Sequence, residues 1–282
     1  MDVDKRVLLV TGCSSGIGLS IATCAAVAGH HVYAGARRIE DAPRLHALGE
    51  SFPNVKPLQL DITRGAERKT AVEHVLKEHG RLDVLVNNAG VALGGFVEQI
   101  DEDELRALFD VNFFATFAMT KECLPPMREA GDGLVIMMSS VSGRMALPGL
   151  GAYASSKFAL EGLSEALRHE CRPFGIRVTL VEPGAYDTDM FGRNRRYCRR
   201  AFEPEGAYTP IMKRCDERFR EVVDQKKRDP QEVGHLVVSL LSNSNPRMRY
   251  PLGPGVSTRL ALMKLAPYGL IDYLAHRLMK SP

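Results

Sequence analysis

A tyrosine and a lysine, Tyr153 and Lys157, stand four residues apart in the stretch GAYASSKFAL. Residues at this spacing share one face of a helix, so the phenol and the ammonium would point the same way. A free phenol has a pKa of about 10 and exchanges protons poorly at neutral pH. A nearby positive charge favours the phenolate and lowers that pKa toward the working range. The pair therefore predicts an acid–base tyrosine tuned by Lys157, against the alternative of an ordinary surface pair.

The elements that must position this pair alternate along the chain. Short runs rich in Val, Leu and Ile predict strands buried on both faces, and the longer segments between them have helical periodicity. This alternation is typical of an α/β fold with a Rossmann-type, doubly wound parallel sheet of about seven strands and helices on both faces. The predicted strands are Arg6–Thr11, His31–Ala36, Val55–Leu60, Asp83–Asn87, Gly133–Ser139, Ile176–Glu182 and a last one in Met248–Gly253. The predicted helices are Gly16–Ala28, Glu40–Gly49, Gly65–His79, Glu102–Ala130 and Ala152–Arg172.

No repeat or low-complexity linker divides the 282 residues, so we predict a single domain. Its parts are a cofactor-binding core at 5–185, a partly helical lid at 186–228, a last helix and strand at 229–255, and a C-terminal helical extension at 256–282. Asp229 is expected to cap the helix that follows it, with Pro230 in the first turn. Pro267 should break the extension into two amphipathic helices.

A glycine-rich loop, TGCSSGIG, follows the first predicted strand and opens the first predicted helix. Glycines permit a tight turn and a close approach to a pyrophosphate, and the helix N-terminus offers free N–H groups to that anion. The loop predicts a dinucleotide site. Its candidate binding residues are Gly12, Ser14, Ser15, Gly16, Ile17 and Gly18.

The end of the second strand carries arginines where an NAD-specific site usually carries an acid. Arg37 and Arg38 could grip a 2′-phosphate, which predicts a preference for NADP(H) over NAD(H). The alternative is two solvated surface arginines. After the third strand, Asp61 and Ile62 are suited to hold the adenine.

Taken in order, these motifs resemble the short-chain dehydrogenase/reductase family over about residues 5–255. The resemblance is most similar to the branch of 17β-hydroxysteroid dehydrogenase type 1 and the retinol dehydrogenases. It implies reversible reduction of a carbonyl group by hydride transfer. The motifs that carry it are TGxxxGIG, Asp61, NNAG at 87–90, Asn112, Ser140, YxxxK at 153–157 and Pro183-Gly184.

The resemblance also implies a role for each member of a catalytic tetrad. Tyr153 would protonate the carbonyl oxygen, and Ser140 would donate a hydrogen bond to it. Lys157 would bond the nicotinamide ribose, and Asn112 would hold a water that relays protons to Lys157. The other residues expected at the cofactor are Asn88, Ala89, Gly90, Pro183, Gly184 and Thr188.

Apolar side chains follow several predicted strand ends, where such sheets bind ligands. They predict a lipophilic substrate of steroid, retinoid or acyl type. The resemblance implies that a lid histidine contributes to steroid recognition, and this chain has no histidine from Asp187 to Gly234, which counts against a steroid. The alternative is a 3-oxoacyl-thioester or polyketide ketoreductase. The candidate substrate residues are Leu93, Ser140, Met145, Leu147, Leu150, Tyr186, Met190 and Phe191.

The lid contains five arginines in the stretch RNRRYCRR, residues 193–200. Three interpretations stay open: a solvated face, a site for an anionic or carrier-linked part of the substrate, and contact with an anionic membrane surface. The apolar and basic C-terminal extension is consistent with the last, and equally with packing against the core or a second subunit.

Composition and motif spacing give no support for several other classes of protein. A net charge of +3 gives no reason to expect nucleic acid, and no apolar run is long enough to span a membrane. The six cysteines lack CxxC spacing, and no metal site is predicted, so we expect reduced thiols in a cytoplasmic protein. A non-catalytic NADP(H) sensor is a further alternative, although such proteins generally lose the Tyr or Lys. Epimerases and dehydratases of this fold are usually longer. The resemblance implies a homodimer or homotetramer built on the helices at 102–130 and 152–172.

Overall fold

Seven strands form one parallel sheet in the computed structural model, which describes residues 5–190, 195–226 and 228–279. In chain order the strands β1 to β7 are Val7–Thr11, His31–Ala36, Val55–Gln59, Val84–Asn87, Gly133–Met138, Ile176–Pro183 and Arg249–Leu252. Their order across the sheet is β3-β2-β1-β4-β5-β6-β7, and each neighbouring pair is parallel. The predicted Rossmann-type sheet is confirmed, and each predicted strand end lies within one residue of the observed end.

Helices cover both faces of the sheet because successive strand residues point to opposite sides. On β1, Leu8 and Val10 join the apolar core of one face, whereas Val7 and Leu9 join that of the other. In the described ranges the helices α1 to α10 are Gly16–Val27, Pro43–Ser51, Gly65–His79, Glu102–Phe109, Thr116–Ala130, Gly151–Cys171, Thr209–Lys226, Gln231–Leu241, Val256–Leu265 and Tyr268–Met279.

The long helix predicted at Glu102–Ala130 is interrupted. Between α4 and α5 the residues Asp110–Ala115 form a π-helical turn, in which one extra residue is accommodated. Hydrophobic periodicity does not reveal such a turn, because the apolar positions continue through it. The turn contains Asn112, whose side chain is buried.

Smaller differences from the prediction arise at prolines. The helix expected at Glu40–Gly49 starts instead at Pro43, where a missing N–H costs nothing, and a 3₁₀ turn precedes it. Pro230 occupies the N-cap position of α8, while the Asp229 carboxylate accepts the Gln231 backbone N–H at 2.9 Å. The break at Pro267 between α9 and α10 is observed as predicted.

The parallel arrangement brings the carboxyl ends of the strands to one edge. There the chain leaves β1 toward β2 on one side, while β4 lies on the other, which creates the crevice where such sheets bind ligands. No helix among the described residues is long and apolar enough to cross a membrane.

Candidate active site

The glycine loop packs against the turn after β4. Gly12 has a φ of +72°, and a Cβ there would lie 2.8 Å from the Cα of Ala89. A Cβ on Gly18 would lie 2.3 Å from the Gly12 carbonyl oxygen. Both positions therefore require glycine, and the N-terminus of α1 approaches the sheet closely enough to expose its amides to a ligand.

Thr11, the last residue of β1, organises this contact and was missed by the sequence analysis. Its hydroxyl accepts the backbone N–H groups of Asn88 and Ala89, both at 3.0 Å. The Asn88 amide in turn donates to the carbonyl oxygens of Thr11 at 2.9 Å and Gly12 at 3.1 Å. A buried threonine directly before the first glycine was the available signal, because a buried hydroxyl needs partners.

A cavity of about 1040 Å³ extends along this edge of the sheet. The cavity is large enough for a dinucleotide. Side chains at the glycines of the loop would clash with neighbouring atoms, so the residues present fit NAD(P)(H). Every residue predicted to bind the cofactor lines it: Gly12, Ser14, Ser15, Gly16, Ile17, Gly18, Arg37, Arg38, Asp61, Ile62, Asn88, Ala89, Gly90, Tyr153, Lys157, Pro183, Gly184 and Thr188.

The two arginines after β2 are in different states. Arg38 forms an exposed ion pair with Asp41, with 3.1 Å between Nε and Oδ2. In the part of the chain that the structure describes, no ion pair includes Arg37, and its side chain is exposed at the cavity rim. Arg37 is therefore the arginine whose guanidinium is available to an anionic ligand.

Asp61 has one oxygen committed to its own turn. Its Oδ1 accepts the Thr63 backbone N–H at 3.0 Å and the Thr63 hydroxyl at 2.7 Å. The Asp61 backbone N–H donates to Glu67 at 2.6 Å, so the turn after β3 is fixed from two sides. Its Oδ2 lies 3.9 Å from the Nε of Arg64, and the contact of Asp61 with an adenine amino group stays a prediction.

Tyr153 and Ser140 are buried side by side at the cavity. The Ser140 hydroxyl oxygen accepts the Ser142 backbone N–H at 3.1 Å, which leaves its proton for the hydrogen bond with Tyr153. Burial raises the pKa of Tyr153 to about 12, and the hydrogen bond with Ser140 opposes that rise. Burial is the largest influence on this pKa in the structure, and the expectation that Lys157 together with an oxidised nicotinamide lowers it stays a prediction.

Lys157 lies on the same helix, α6, and its ammonium is anchored at the end of β5. Its Nζ donates to the Met138 carbonyl oxygen at 2.8 Å and lies 6.0 Å from the centre of the Tyr153 ring. Burial lowers the pKa of Lys157 to about 8, and the negative charge of Glu161 opposes that shift. The lysine is thus fixed to the end of β5 and is the group of the pair that titrates nearer neutrality.

Asn112 connects three elements through its side-chain amide. The amide nitrogen donates to the Val91 carbonyl at 2.9 Å and to the Ser156 hydroxyl at 3.0 Å, and the oxygen accepts the Val91 N–H at 2.9 Å. Both amide protons are therefore used. A water held by this residue would have to use the remaining lone pair of the amide oxygen or the backbone.

The predicted substrate residues separate into two groups. Leu93, Ser140, Tyr186 and Met190 line the cavity, whereas Met145, Leu147 and Leu150 are not among its lining residues. Leu150 is buried and forms a β-bridge with Gly95, so it supports the loop after β4 rather than facing the cavity. Phe191 lies outside the described residues. The sequence analysis missed Tyr197 of the lid, which lines the cavity.

Three of the lid arginines are paired with acids of the same chain. Arg195 contacts Asp216 at 2.5 Å and lies over the rings of Tyr197 and Phe219. Arg199 binds Asp101 at 2.8 Å and Asp103 at 2.6 Å. The weaker pair of Arg200 with Asp101 spans 3.8 Å.

Arg195 is therefore buried and not part of a solvated face, whereas Arg199 and Arg200 form their ion pairs at the exposed surface. The fourth, Arg196, is exposed, lines the cavity and has no ion pair within the described ranges. Arg193 lies outside the described residues.

Comparison with known proteins agrees with this geometry. The family model described as short chain dehydrogenase matches residues 6–199. The 3-ketodihydrosphingosine reductase of Bacteroides thetaiotaomicron is 35% identical over 265 residues, covering 93% of each chain. Human 17-beta-hydroxysteroid dehydrogenase type 1 is 34% identical over 264 residues, or 87% of this chain and 77% of that protein. The crystal structure of a short-chain dehydrogenase from Streptomyces avermitilis superposes with a TM-score of 0.81 at 35% identity, covering 99% of this chain and 96% of that one.

Proposed function

We propose, from the premise that this chain belongs to the short-chain dehydrogenase family, that it is an NADP(H)-dependent reductase of a lipophilic ketone or aldehyde. Family membership supports the coarser statement, an oxidoreductase acting on C=O and CH–OH groups. The observation that carries the proposal is the buried Ser140–Tyr153 pair, which faces the same cavity as the glycine loop.

The chain's own residues would handle the carbonyl oxygen and its proton. When bound, the nicotinamide cofactor supplies the hydride. Because its pKa is about 12, Tyr153 is protonated at neutral pH and can donate to a carbonyl oxygen in the reducing direction. The Ser140 hydroxyl is oriented by the Ser142 N–H. It can donate a hydrogen bond to the same carbonyl oxygen when its hydrogen bond with the Tyr153 phenol is broken. Lys157 would hold the ribose and pass a proton toward Tyr153, with Asn112 supporting that route.

The preference for NADP(H) is proposed on the exposed guanidinium of Arg37. It borders the cavity beyond β2, where the adenosine ribose of a dinucleotide would lie. A planar guanidinium that forms no ion pair with the described residues suits a 2′-phosphate, and the residues that directly follow β2 are arginines rather than an acid.

A ketone of lipid type is the proposed substrate class. The cavity that contains Tyr153 is also lined by apolar side chains, including Leu93, Ala92 and Met190. The relatives described above are named for a 3-keto compound and a hydroxysteroid, which supports a ketone over an aldehyde.

A second candidate, a 3-oxoacyl-thioester or polyketide ketoreductase, is favoured by Arg196. This arginine is exposed at the cavity that also holds Tyr153, and its paired neighbours fix the backbone around it. An anionic group on a carrier could therefore be recognised at the cavity mouth. An NADP(H) sensor without turnover has less support, since Tyr153 and Lys157 are both in place.

Assembly and location are also proposals. Exposed aromatic side chains, Phe114 and Phe117 on α5 or just before it and Phe158 on α6, support pairing of these helices in a homodimer or homotetramer. Leu167, counted toward that surface in the sequence, belongs to the core at 7% exposure. Six unpaired cysteines support a cytoplasmic location, and peripheral membrane contact rests on exposed leucines of α9 and α10.

The experiment is the loss of NADPH absorbance, with NADH in parallel, across ketosteroids, retinal, long-chain 3-keto amines and acyl-thioester ketones. We expect oxidation of NADPH with one class and little with NADH. Activity that survives in Tyr153→Phe would contradict the mechanism. Tight NADPH binding without activity on any class would favour the sensor instead.

A further inference from the structure

The C-terminal extension, residues 256–282, contains all of the formal excess of positive charge in the chain. Its basic residues are Arg259, Lys264, Arg277 and Lys280, and its one acid is Asp272. Four positive charges against one negative charge equal the net charge of +3 of the whole chain, so the remaining residues are balanced. The extension is therefore the segment at which the chain favours an anionic partner.

The same extension exposes large apolar side chains. Leu262 and Leu265 on α9 are 62% and 84% exposed, and Leu270 and Tyr273 on α10 are 50% and 57% exposed. The members of each pair are three residues apart, so they lie on one side of their helix. Contacts that remove such a surface from water are favourable.

Arginines flank these apolar positions on both helices. Arg259 precedes Leu262 by three residues, and Arg277 follows Tyr273 by four. Arg277 is exposed and Arg259 is half-buried, and neither forms an ion pair with another described residue. A long arginine side chain can lay its apolar stem beside a leucine and keep its guanidinium among anionic groups. Exposed apolar side chains with flanking cations are typical of helices that lie at a lipid surface.

The extension starts at the wall of the cavity. Val256, the first residue of α9, is 5% exposed, and its Cγ2 lies 3.0 Å from the position of a Cβ built on Gly184, which lines the cavity. The Gly184 backbone N–H donates to the Leu252 carbonyl oxygen at the end of β7 at 2.8 Å. Further along the extension, α10 packs against α7 of the lid. A partner bound to the extension would therefore lie close to the cavity that contains Tyr153.

Charge distinguishes the occupants that this surface can take. A second copy of the chain would bring two extensions of charge +3 together, and like charges across an interface are unfavourable. No helix in the described ranges is long and apolar enough to cross a bilayer, so a lipid contact has to be peripheral. A bilayer surface with anionic lipids suits both features of the extension, because its head groups attract arginines and its acyl chains take up leucines. Tyrosine, with an apolar ring and a polar hydroxyl, suits the boundary between them.

We propose that the extension lies in the surface of a bilayer that contains anionic lipids, with its exposed leucines among the acyl chains and Arg259 and Arg277 at the head groups. A lipophilic ketone can then pass from the bilayer to the nearby cavity without dispersing in water. This last step rests on the proposed function, whereas the contact itself rests on the charge and exposure of the extension.

The test is co-sedimentation of the full chain with vesicles, without cofactor or substrate. Vesicles of phosphatidylcholine alone are compared with vesicles of phosphatidylcholine and phosphatidylglycerol, each at low and at high salt. We expect binding to the anionic vesicles that is at least about tenfold stronger than binding to the neutral ones, and a loss of that difference at high salt. No binding to either kind of vesicle, or equal binding to both, would overturn the proposal.

The leucines are tested against a matched side chain elsewhere. Leu262→Ser combined with Leu265→Ser should weaken binding to the anionic vesicles by about tenfold or more, because less apolar area is removed from water. Val27→Ser changes a side chain that is 69% exposed on α1 and should leave vesicle binding unchanged. Because all three positions are exposed, we expect wild-type circular dichroism for both proteins. Equal binding by the leucine variant and the wild type would contradict the proposal.

The arginines are tested in the same way. Arg259→Gln and Arg277→Gln should each weaken binding to the anionic vesicles about fivefold and reduce its dependence on salt. Lys69→Gln on α3, where the lysine side chain is 70% exposed, is the control and should have no effect. Equal losses in all three variants would show a response to net charge alone and would contradict an oriented contact.

Light scattering tests the competing occupant. If Leu262→Ser combined with Leu265→Ser lowers the oligomeric mass and leaves vesicle binding unchanged, the surface is covered by a second copy and the proposal is wrong. An unchanged mass together with weakened vesicle binding is the result that we expect.

A lipid ketone presented in anionic vesicles or in detergent micelles separates the contact from the proposed function. We expect the combined leucine variant to raise KM for the ketone in vesicles by about tenfold and to reduce the ketone in micelles at the wild-type rate. Equal slowing in both presentations would contradict delivery from the bilayer. Failure of the proposed function would instead appear as absent NADPH oxidation in both presentations while vesicle binding persists.

Discussion

At the scale of single residues, proton donation and titration near neutral pH belong to different members of the Tyr153–Lys157 pair. Tyr153 is protonated and bonded to Ser140, while Lys157 is fixed to the end of β5 through the Met138 carbonyl. The tyrosine is therefore ready to donate a proton, and the lysine is the group whose charge responds to pH near 8.

Replacing Tyr153 by phenylalanine removes the proton donor without leaving a large void. We expect Tyr153→Phe to lower kcat by about 10²- to 10⁴-fold, the usual contribution of a general acid, with little change in NADPH binding. Steady-state rates and NADPH fluorescence titration measure the two effects. A variant that reduces its substrate at ordinary rates would show that another group protonates the oxygen.

The two arginines after β2 provide a matched pair of variants. Arg37→Ala should weaken NADPH binding by roughly tenfold to a hundredfold, because a charge-assisted contact with the 2′-phosphate is lost, and should hardly affect NADH. Arg38→Ala removes an arginine already paired with Asp41 and should have a smaller effect. Equal losses in both variants, or none in either, would place 2′-phosphate recognition at another residue.

At the scale of elements, the lid is attached to the body of the protein by ion pairs and backbone contacts. Arg199 binds two acids at the start of α4, and Gly94 exchanges backbone hydrogen bonds with Arg196 and Cys198. The lid near residue 197 is therefore a fixed wall of the cavity in this structure.

Arg199→Ala should make the lid segment near residue 197 more mobile. We expect faster amide hydrogen exchange and earlier proteolytic cleavage across residues 195–201, together with a higher KM. Arg106→Ala is the control, because Arg106 forms an exposed pair with Glu102 on the same helix and touches no part of the lid that the structure records. Unchanged exchange in Arg199→Ala would mean that the Gly94 contacts suffice.

At the scale of the whole molecule, Asp132, which directly precedes β5, links segments near the amino-terminal ends of β1 and β6. It binds Arg6 before β1 at 2.5 Å and Arg177 on β6 at 2.6 Å. Burial alone would raise the pKa of Asp132, but the hydrogen bond from Arg6 and the charge of Arg177 outweigh it and lower the pKa.

A lowered pKa in the folded state means that the stabilisation is present at neutral pH. It is lost as the pH falls through the folded pKa, below about 4. Asp132→Asn should therefore reduce the free energy of unfolding at pH 7 by about 1 kcal/mol, given partial exposure, and by less near pH 3.5. Urea unfolding at the two pH values measures this difference. Asp41→Asn, at an exposed pair, serves as control, and an equal loss for Asp132→Asn at both pH values would contradict the account.

The sequence predicts the sheet well because parallel strands buried on both faces have a strong local signal. The motifs likewise place Gly12 and Asn88 at one cavity, since both residues directly follow strand ends. What the sequence could not predict depends on contacts between distant segments. The hydroxyl of Thr11 bonds a turn 77 residues away, and Arg199 meets Asp101 across 98 residues. The raised pKa of Tyr153 depends on burial, which spacing along a helix does not reveal.

The π-helical turn at Asp110–Ala115 restricts the number of residues that this segment can contain. Deletion of one residue from a π-helical turn can restore a regular α-helix, so such a deletion would not break the helix. It would close the wide turn and shift the residues within it, so Asn112 would lose its contacts with Val91 and Ser156. Over evolutionary time, substitutions should be tolerated in this segment far more readily than single-residue insertions or deletions.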